Sequence, residues 1–240
     1  MKIGIIGAGP IGTNIAKKLV NKGHDVKIAD TLGFDNMAGK EISGTPVIVE
    51  DVIKNIDSLI ISLPSHVMPS IRTIIDQAGK DVIVIDTSNY YPFRDSKIED
   101  IENGMVESVW VSNQLGRPVI KAISNQLAHT LENKGTPEDT SGRIAMTVSG
   151  DDQSQKQLVM DLVNDLGFDP VDSGSLSESW RQQPGTPAYC TELIKADLKD
   201  ALKRADKEKA PLLRDKVMEN FSADFTHSDI VNLNREIYNS

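Results

Sequence analysis

Ile3-Gly4-Ile5-Ile6-Gly7-Ala8-Gly9-Pro10-Ile11-Gly12 is the stretch that decides the fold. Met1 to Ile6 carries Ile3, Ile5 and Ile6, apolar and β-branched, and reads as a short buried strand. Glycines at 7, 9 and 12 follow at once, and a helical pattern runs on to Lys22. A second strand, Val26 to Ala29, ends on Asp30. This is G-x-G-x-x-G in the context that gives it meaning: strand, tight turn, helix, strand, acid. Each glycine has a task. Gly7 allows the turn, Gly9 lets backbone approach a pyrophosphate, and Gly12 lets helix and strand pack closely. The helix N-terminus, with unpaired N–H groups and a favourable dipole, then receives negative charge. Asp30 stands near the spacing of a carboxylate that accepts from ribose hydroxyls. The stretch therefore predicts a site for NAD or NADP.

Outward from it, strand and helix keep alternating. Strands are predicted at 45–49, 58–62, 82–86, 119–123, 144–148 and 170–172. Helices are predicted from Glu50, over 67–78 and over 153–166. Near-continuous apolar strands joined by helices indicate α/β architecture: a doubly wound, mostly parallel sheet of about eight strands. The pattern changes after Trp180. Residues 182–187 form a breaker-rich loop, and 192–209 and 212–221 read as charged helices. We expect a dinucleotide-binding domain over 1–181 and a small helical C-terminal segment over 182–240.

Composition narrows the function. The net charge of -9 argues against nucleic acid or an anionic membrane surface as a general partner. No apolar run approaches the ~20 residues that span a bilayer. Met1 to Ile6 is expected to be the first strand rather than a leader. The one cysteine, Cys190, can form no internal disulfide, which suits a cytoplasmic protein. The four histidines are dispersed, with no ligand spacing that predicts a metal.

In open α/β sheets ligands bind beyond the carboxyl ends of the strands. The candidate cofactor contacts are therefore Gly7, Gly9, Pro10, Ile11 and Gly12, then Asp30, Thr31 and Leu32, then Leu63, Pro64 and Ser65, and finally Asn89 and Lys121. Lys121 has a second reading as a buried amine paired with Asp86. Asp86 and Asn89 can equally shape their loop through Asx hydrogen bonds. Asp151 and Asp152 are expected to cap the helix that begins near Gln153. His66 is the candidate proton donor by side-chain type, with loop positioning as its other reading.

Taken together, Gly7 to Gly12, Asp86-Thr87-Ser88-Asn89, Val119-Ile120-Lys121-Ala122, Ser149-Gly150-Asp151-Asp152 and Leu166 to Gly174 resemble the NADP oxidoreductase, coenzyme F420-dependent family. The resemblance implies a Rossmann fold, a homodimer, and hydride transfer between NADP(H) and a deazaflavin or flavin. Two positions depart from the family pattern. Asp30-Thr31-Leu32-Gly33 replaces Asn-Ser-Arg-Gly, so Leu32 stands where an arginine would hold a 2′-phosphate. Lys121-Ala122-Ile123-Ser124 replaces Lys-Ala-Phe-Asn. The first departure tilts cofactor choice towards NAD(H). The leading expectation is an oxidoreductase passing hydride between NAD(P)H and a flavin-like small-molecule acceptor. The alternatives are a dehydrogenase of a small hydroxy acid and a dinucleotide sensor without turnover.

Overall fold

The computed structural model describes residues 1–239. Eight strands form one sheet: β1 (Lys2–Ile6), β2 (Asp25–Ala29), β3 (Thr45–Pro46), β4 (Ser58–Ile61), β5 (Ile83–Asp86), β6 (Ile120–Ala122), β7 (Ala145–Ser149) and β8 (Asp169–Asp172). Their spatial order is β3-β2-β1-β4-β5-β6-β7-β8. All neighbours are parallel except β6 and β7, which run antiparallel. The order reverses between β1 and β4, so the crevice for a ligand opens above their carboxyl ends.

The period-2 direction of side chains divides the core in two. Ile3, Ile5, Ile28, Ile60 and Ile85 face the helices α1 (Pro10–Asn21) and α3 (Gln153–Asp165), with α2 (Glu107–Leu115) lying between these two in the chain. Ile6, Leu59, Ile61 and Val84 face α2 and the segments around Val52 and Ile71. Each fully buried aliphatic side chain contributes roughly 1.5–3 kcal/mol. The sheet is therefore covered on both sides, as its apolar strands require.

Several boundaries differ from the sequence expectation, each for a local reason. The helix expected over 67–78 is a 3₁₀ segment, Ser65–Ile71, followed by one α turn, Arg72–Ile75. Pro69 inside it has no N–H to donate, and its ring disfavours the helix before it. The third strand is only Thr45–Pro46, at the sheet edge where a proline is tolerated. The sixth stops at Ala122 because Ile123 turns to φ 56°. Asp152 caps α3 as expected, accepting from the N–H groups of Ser154 and Gln155.

The C-terminal segment contains α4 (Lys195–Arg204), α5 (Ala210–Asn220) and α6 (His227–Tyr238). Thr226 and Asp229 form a capping box at α6, a helix the sequence expectation did not include. Leu198, Ala201 and Leu202 pack on Ala145 and Val171 of the sheet. Val217, Ile237 and Tyr238 gather around Tyr189 and Cys190. Most apolar side chains of this segment are thus buried by its own chain, while Leu212 and Phe221 stay exposed. Asn125 staples it in place: its amide nitrogen donates to the Ala188 carbonyl at 3.2 Å, and its own carbonyl accepts from the Cys190 N–H at 3.0 Å.

Candidate functional site

The glycine turn is built from close approaches. Gly7 has φ 113°, and a Cβ there would lie 2.1 Å from the Ser62 carbonyl oxygen. A Cβ on Gly12 would lie 1.9 Å from the Gly7 carbonyl oxygen. Gly9 is different: a Cβ would meet nothing within 4 Å. It is the N-cap of α1 and offers no side-chain cap to the first-turn N–H groups. The turn thus holds an open place at a helix start, where a Cβ would stand in the path of a phosphate. This arrangement fits the pyrophosphate of a dinucleotide.

From there a cleft of about 350 Å³ runs along the strand ends. Of the residues expected to contact a cofactor, Gly9, Pro10, Ile11, Leu63, Pro64 and Asn89 line it. Thr87, Ser88, Ile123 and Ser124 also line it. Tyr91, Arg94, Gln126, Leu127, Tyr189 and Cys190 line it too and were not foreseen. Tyr189 and Cys190 reach the cleft from the C-terminal segment. A loop that returns through tertiary contacts leaves no local periodicity to read; the breaker-rich run before it is the only signal. Gly7 and Gly12 lie beneath the turn. Ser65 is buried beside Pro64.

Asp30, Thr31 and Leu32 stand together at the end of β2. The Asp30 carboxylate is turned inward. Its Oδ1 accepts from the Leu32 N–H and its Oδ2 from the Asn36 amide, both at 2.9 Å. Lys40 lies 4.0 Å from the same carboxylate and donates to the Ala8 carbonyl at 3.2 Å. Leu32 is 81% exposed.

Lys121 is not in the cleft. It is fully buried, 3.3 Å from Asp86 Oδ2, and it donates to the Ser88 carbonyl. Asp86 also accepts from Ser108 Oγ at 2.7 Å and from the Ser88 N–H at 2.8 Å. The pair therefore fixes the Thr87–Asn89 loop from below, and a cofactor contact by Lys121 is replaced by this internal role. A buried amine needs such a partner, because an isolated charge in the interior is very costly.

His66 lies outside the cleft lining, half-exposed. Its Nδ1 lies 2.8 Å from Asp95 Oδ1. Asp95 also takes Arg94 Nη2 at 2.7 Å and the Tyr91 N–H at 3.0 Å. Burial pushes the Asp95 carboxyl upwards, but these three donors outweigh it and hold it below the usual carboxylate range. The cleft wall opposite is neutral. Burial pushes the Cys190 thiol up to about 12 and raises the Tyr91 and Tyr189 phenols as well. None of the three is ionised near neutral pH.

Strand order, glycine turn and cleft together define a dinucleotide-binding oxidoreductase fold. Residues 2–90 match the model of the family described as NADP oxidoreductase, coenzyme F420-dependent. The chain is 41% identical to YjhV of Escherichia coli (strain K12) over 110 residues, which are 45% of this chain and 80% of that protein. A crystal structure of the hypothetical protein SMa0349 from Sinorhizobium meliloti superposes with a TM-score of 0.68 at 28% identity, covering 81% of this chain and 95% of that one. A protein from Arthrobacter sp. FB24 described as an F420-dependent NADP-reductase superposes with a TM-score of 0.60 at 19% identity, covering 75% and 87%. Residues 2–90 thus belong to the NADP oxidoreductase, coenzyme F420-dependent family, and the chain is a relative of YjhV. The chain is an NAD(P)-dependent oxidoreductase. No described helix is long and apolar enough to cross a membrane.

Proposed function

We propose that the protein passes hydride between a nicotinamide cofactor and a planar flavin or deazaflavin acceptor held against it in the cleft. One observation carries this reading. The cleft is walled by Leu63, Ile123, Leu127, Tyr91 and Tyr189, with neutral amides and hydroxyls between them. Such walls suit two stacked ring systems. A bound nicotinamide supplies the hydride; the protein's part is to position the two faces and exclude water. Gly9 and the start of α1 hold the pyrophosphate. Pro64, Ser88 and Asn89 hold the nicotinamide end.

A hydroxy-acid dehydrogenase needs an acid–base group at the substrate oxygen, to exchange its proton while hydride moves at the carbon. Lys121 is committed to Asp86 and Ser88. His66 has one nitrogen committed to Asp95 and is not part of the cleft wall. The arrangement thus favours the planar acceptor. The test is oxidation of NADH and NADPH with flavins, a deazaflavin, quinones and keto acids. Turnover with the planar acceptors is expected. Turnover with keto acids alone would overturn the proposal, and tight cofactor binding with no turnover would support a sensor.

The finer choice of cofactor falls to NAD(H) in this proposal. Asp30 and Lys40 leave no net positive charge at the adenosine ribose, and Leu32 adds none. We further propose a homodimer, as the family resemblance implies. Leu212 and Phe221 are exposed apolar side chains at α5 that could meet a second copy; sedimentation at micromolar concentration checks this. A single cysteine kept as a buried free thiol supports a cytoplasmic setting.

A further inference from the structure

Arg94 is the only charged residue among those that line the cleft. Its fork is fixed from behind. Nη2 donates to Asp95 Oδ2 at 2.7 Å and to the Asn89 carbonyl, and Nε lies 3.3 Å from Asp95 Oδ1. The Asp95 side chain has no exposure, so this anchor is internal. The guanidinium rests 5.5 Å from the centre of the Tyr91 ring, a second restraint. Nη1 has no hydrogen-bond partner among the described residues, and the side chain is 40% exposed. A guanidinium whose charge Asp95 partly balances, immobilised on one edge and with N–H donors free on the other, is thus presented at the wall of an otherwise neutral cleft. Guanidinium donors match the oxygens of phosphate and carboxylate, and a fixed fork loses little freedom when it binds them.

We propose that Arg94 determines acceptor specificity by binding an anionic, oxygen-rich group, such as a phosphate, carried by the planar acceptor. This deepens the reading of the cleft as the acceptor site and rests on it. Arg94 follows β5, which is separated from β1 and its glycine turn by β4, so the anion it meets is distinct from the cofactor pyrophosphate over Gly9. Asp95 acts as a positioning residue: it aims the fork and keeps it from folding back to solvent.

The experiment compares riboflavin with riboflavin 5′-phosphate, two acceptors with one ring system and different charge. The wild-type protein should favour the phosphate in kcat/KM by roughly tenfold or more, and the preference should shrink as salt rises. In Arg94→Gln the ratio should approach one, and Arg94→Lys should restore part of it. The ratio is read within each variant, so a general loss of activity cannot imitate the result. Equilibrium binding of both flavins by fluorescence, with the cofactor present, separates the two proposals. An Arg94-dependent binding preference without turnover would support the anion site while the hydride-acceptor reading fails. A wild-type ratio near one in both assays would overturn it. So would an unchanged ratio in Arg94→Gln, no binding of either flavin, or an equal loss of NADH affinity in that variant.

Discussion

A Cβ placed on Gly12 would come within 1.9 Å of the Gly7 carbonyl oxygen, while one on Gly9 would touch nothing. The three glycines of one motif therefore serve two ends. Gly12→Ala should destabilise the fold, since backbone must shift, by on the order of 1–3 kcal/mol. Gly9→Ala should leave the melting temperature within a few degrees of wild type and weaken NAD(P)H binding at least tenfold. Thermal unfolding and calorimetric titration of the two variants check this. Equal loss of stability in both would contradict it.

Lys121→Met should act on stability, not on the cofactor contact itself. It would leave Asp86 buried without its cation, and breaking a buried pair costs about 3–5 kcal/mol. Urea unfolding should show a loss of that order. A variant as stable as wild type, with cofactor affinity reduced, would return Lys121 to the binding site.

His66→Ala should lower turnover by about tenfold, short of the 10²–10⁴ that a lost general acid removes. The Asp95 carboxylate keeps Arg94 and the Tyr91 N–H when the imidazole is gone. Only the tie between the loops after β4 and β5 is lost. Steady-state kinetics with the best acceptor measure this, and a loss of four decades would point to proton transfer by His66.

The first half of the fold was legible because each signal was local. Ile3 to Ile6, the glycine turn, α1 and Asp30 are consecutive, and their periods change where the structure changes. The strand ends, and with them Leu63, Pro64 and Asn89, followed from topology alone. Pro69 was also legible, since a proline in the interior of a helical pattern breaks it, yet the apolar spacing at Val67, Ile71 and Ile75 masked it. Arg94, Tyr189 and Cys190 could not be placed from the sequence. Arg94 depends on the buried Asp95 beside it, and Tyr189 depends on Asn125, some sixty residues away in the chain.

Glu107 gives the protein a pH dependence of stability. Its carboxyl is buried and accepts from the Tyr90 N–H at 3.0 Å. Burial pushes it up to about 7, against the opposing pull of Lys121, the Tyr90 N–H and Arg214. The sign follows from linkage. Between the ordinary carboxylate value of 4.5 and about 7 the folded protein holds a proton that the unfolded chain has lost. Stability therefore falls as pH rises through that window and levels off above it, by on the order of 3 kcal/mol for a shift of this size. Glu107→Gln should flatten that part of the profile and be more stable than wild type at pH 8. Urea unfolding of both proteins from pH 4.5 to 8 measures it; parallel profiles would refute it.

The adenosine end of the cofactor should be read by charge. Asp30 follows β2 with a largely buried carboxylate, and Lys40 stands 4.0 Å from it. The two charges compensate one another, so a 2′-phosphate would arrive at a place with no net positive charge. Two like charges about 4 Å apart repel by about 1 kcal/mol in water and a few kcal/mol near a protein surface. Lys40 offsets part of this but cannot serve Asp30 and a phosphate equally. NADH should therefore bind more tightly than NADPH, by roughly tenfold. Asp30→Asn removes the repelling charge and keeps an acceptor for the Leu32 N–H, so it should narrow the difference by strengthening NADPH. Lys40→Gln should widen it. Dissociation constants for both cofactors at two salt concentrations decide the matter. Tighter NADPH binding by the wild-type protein that weakens as salt rises would show that Lys40, and not Asp30, governs the pocket.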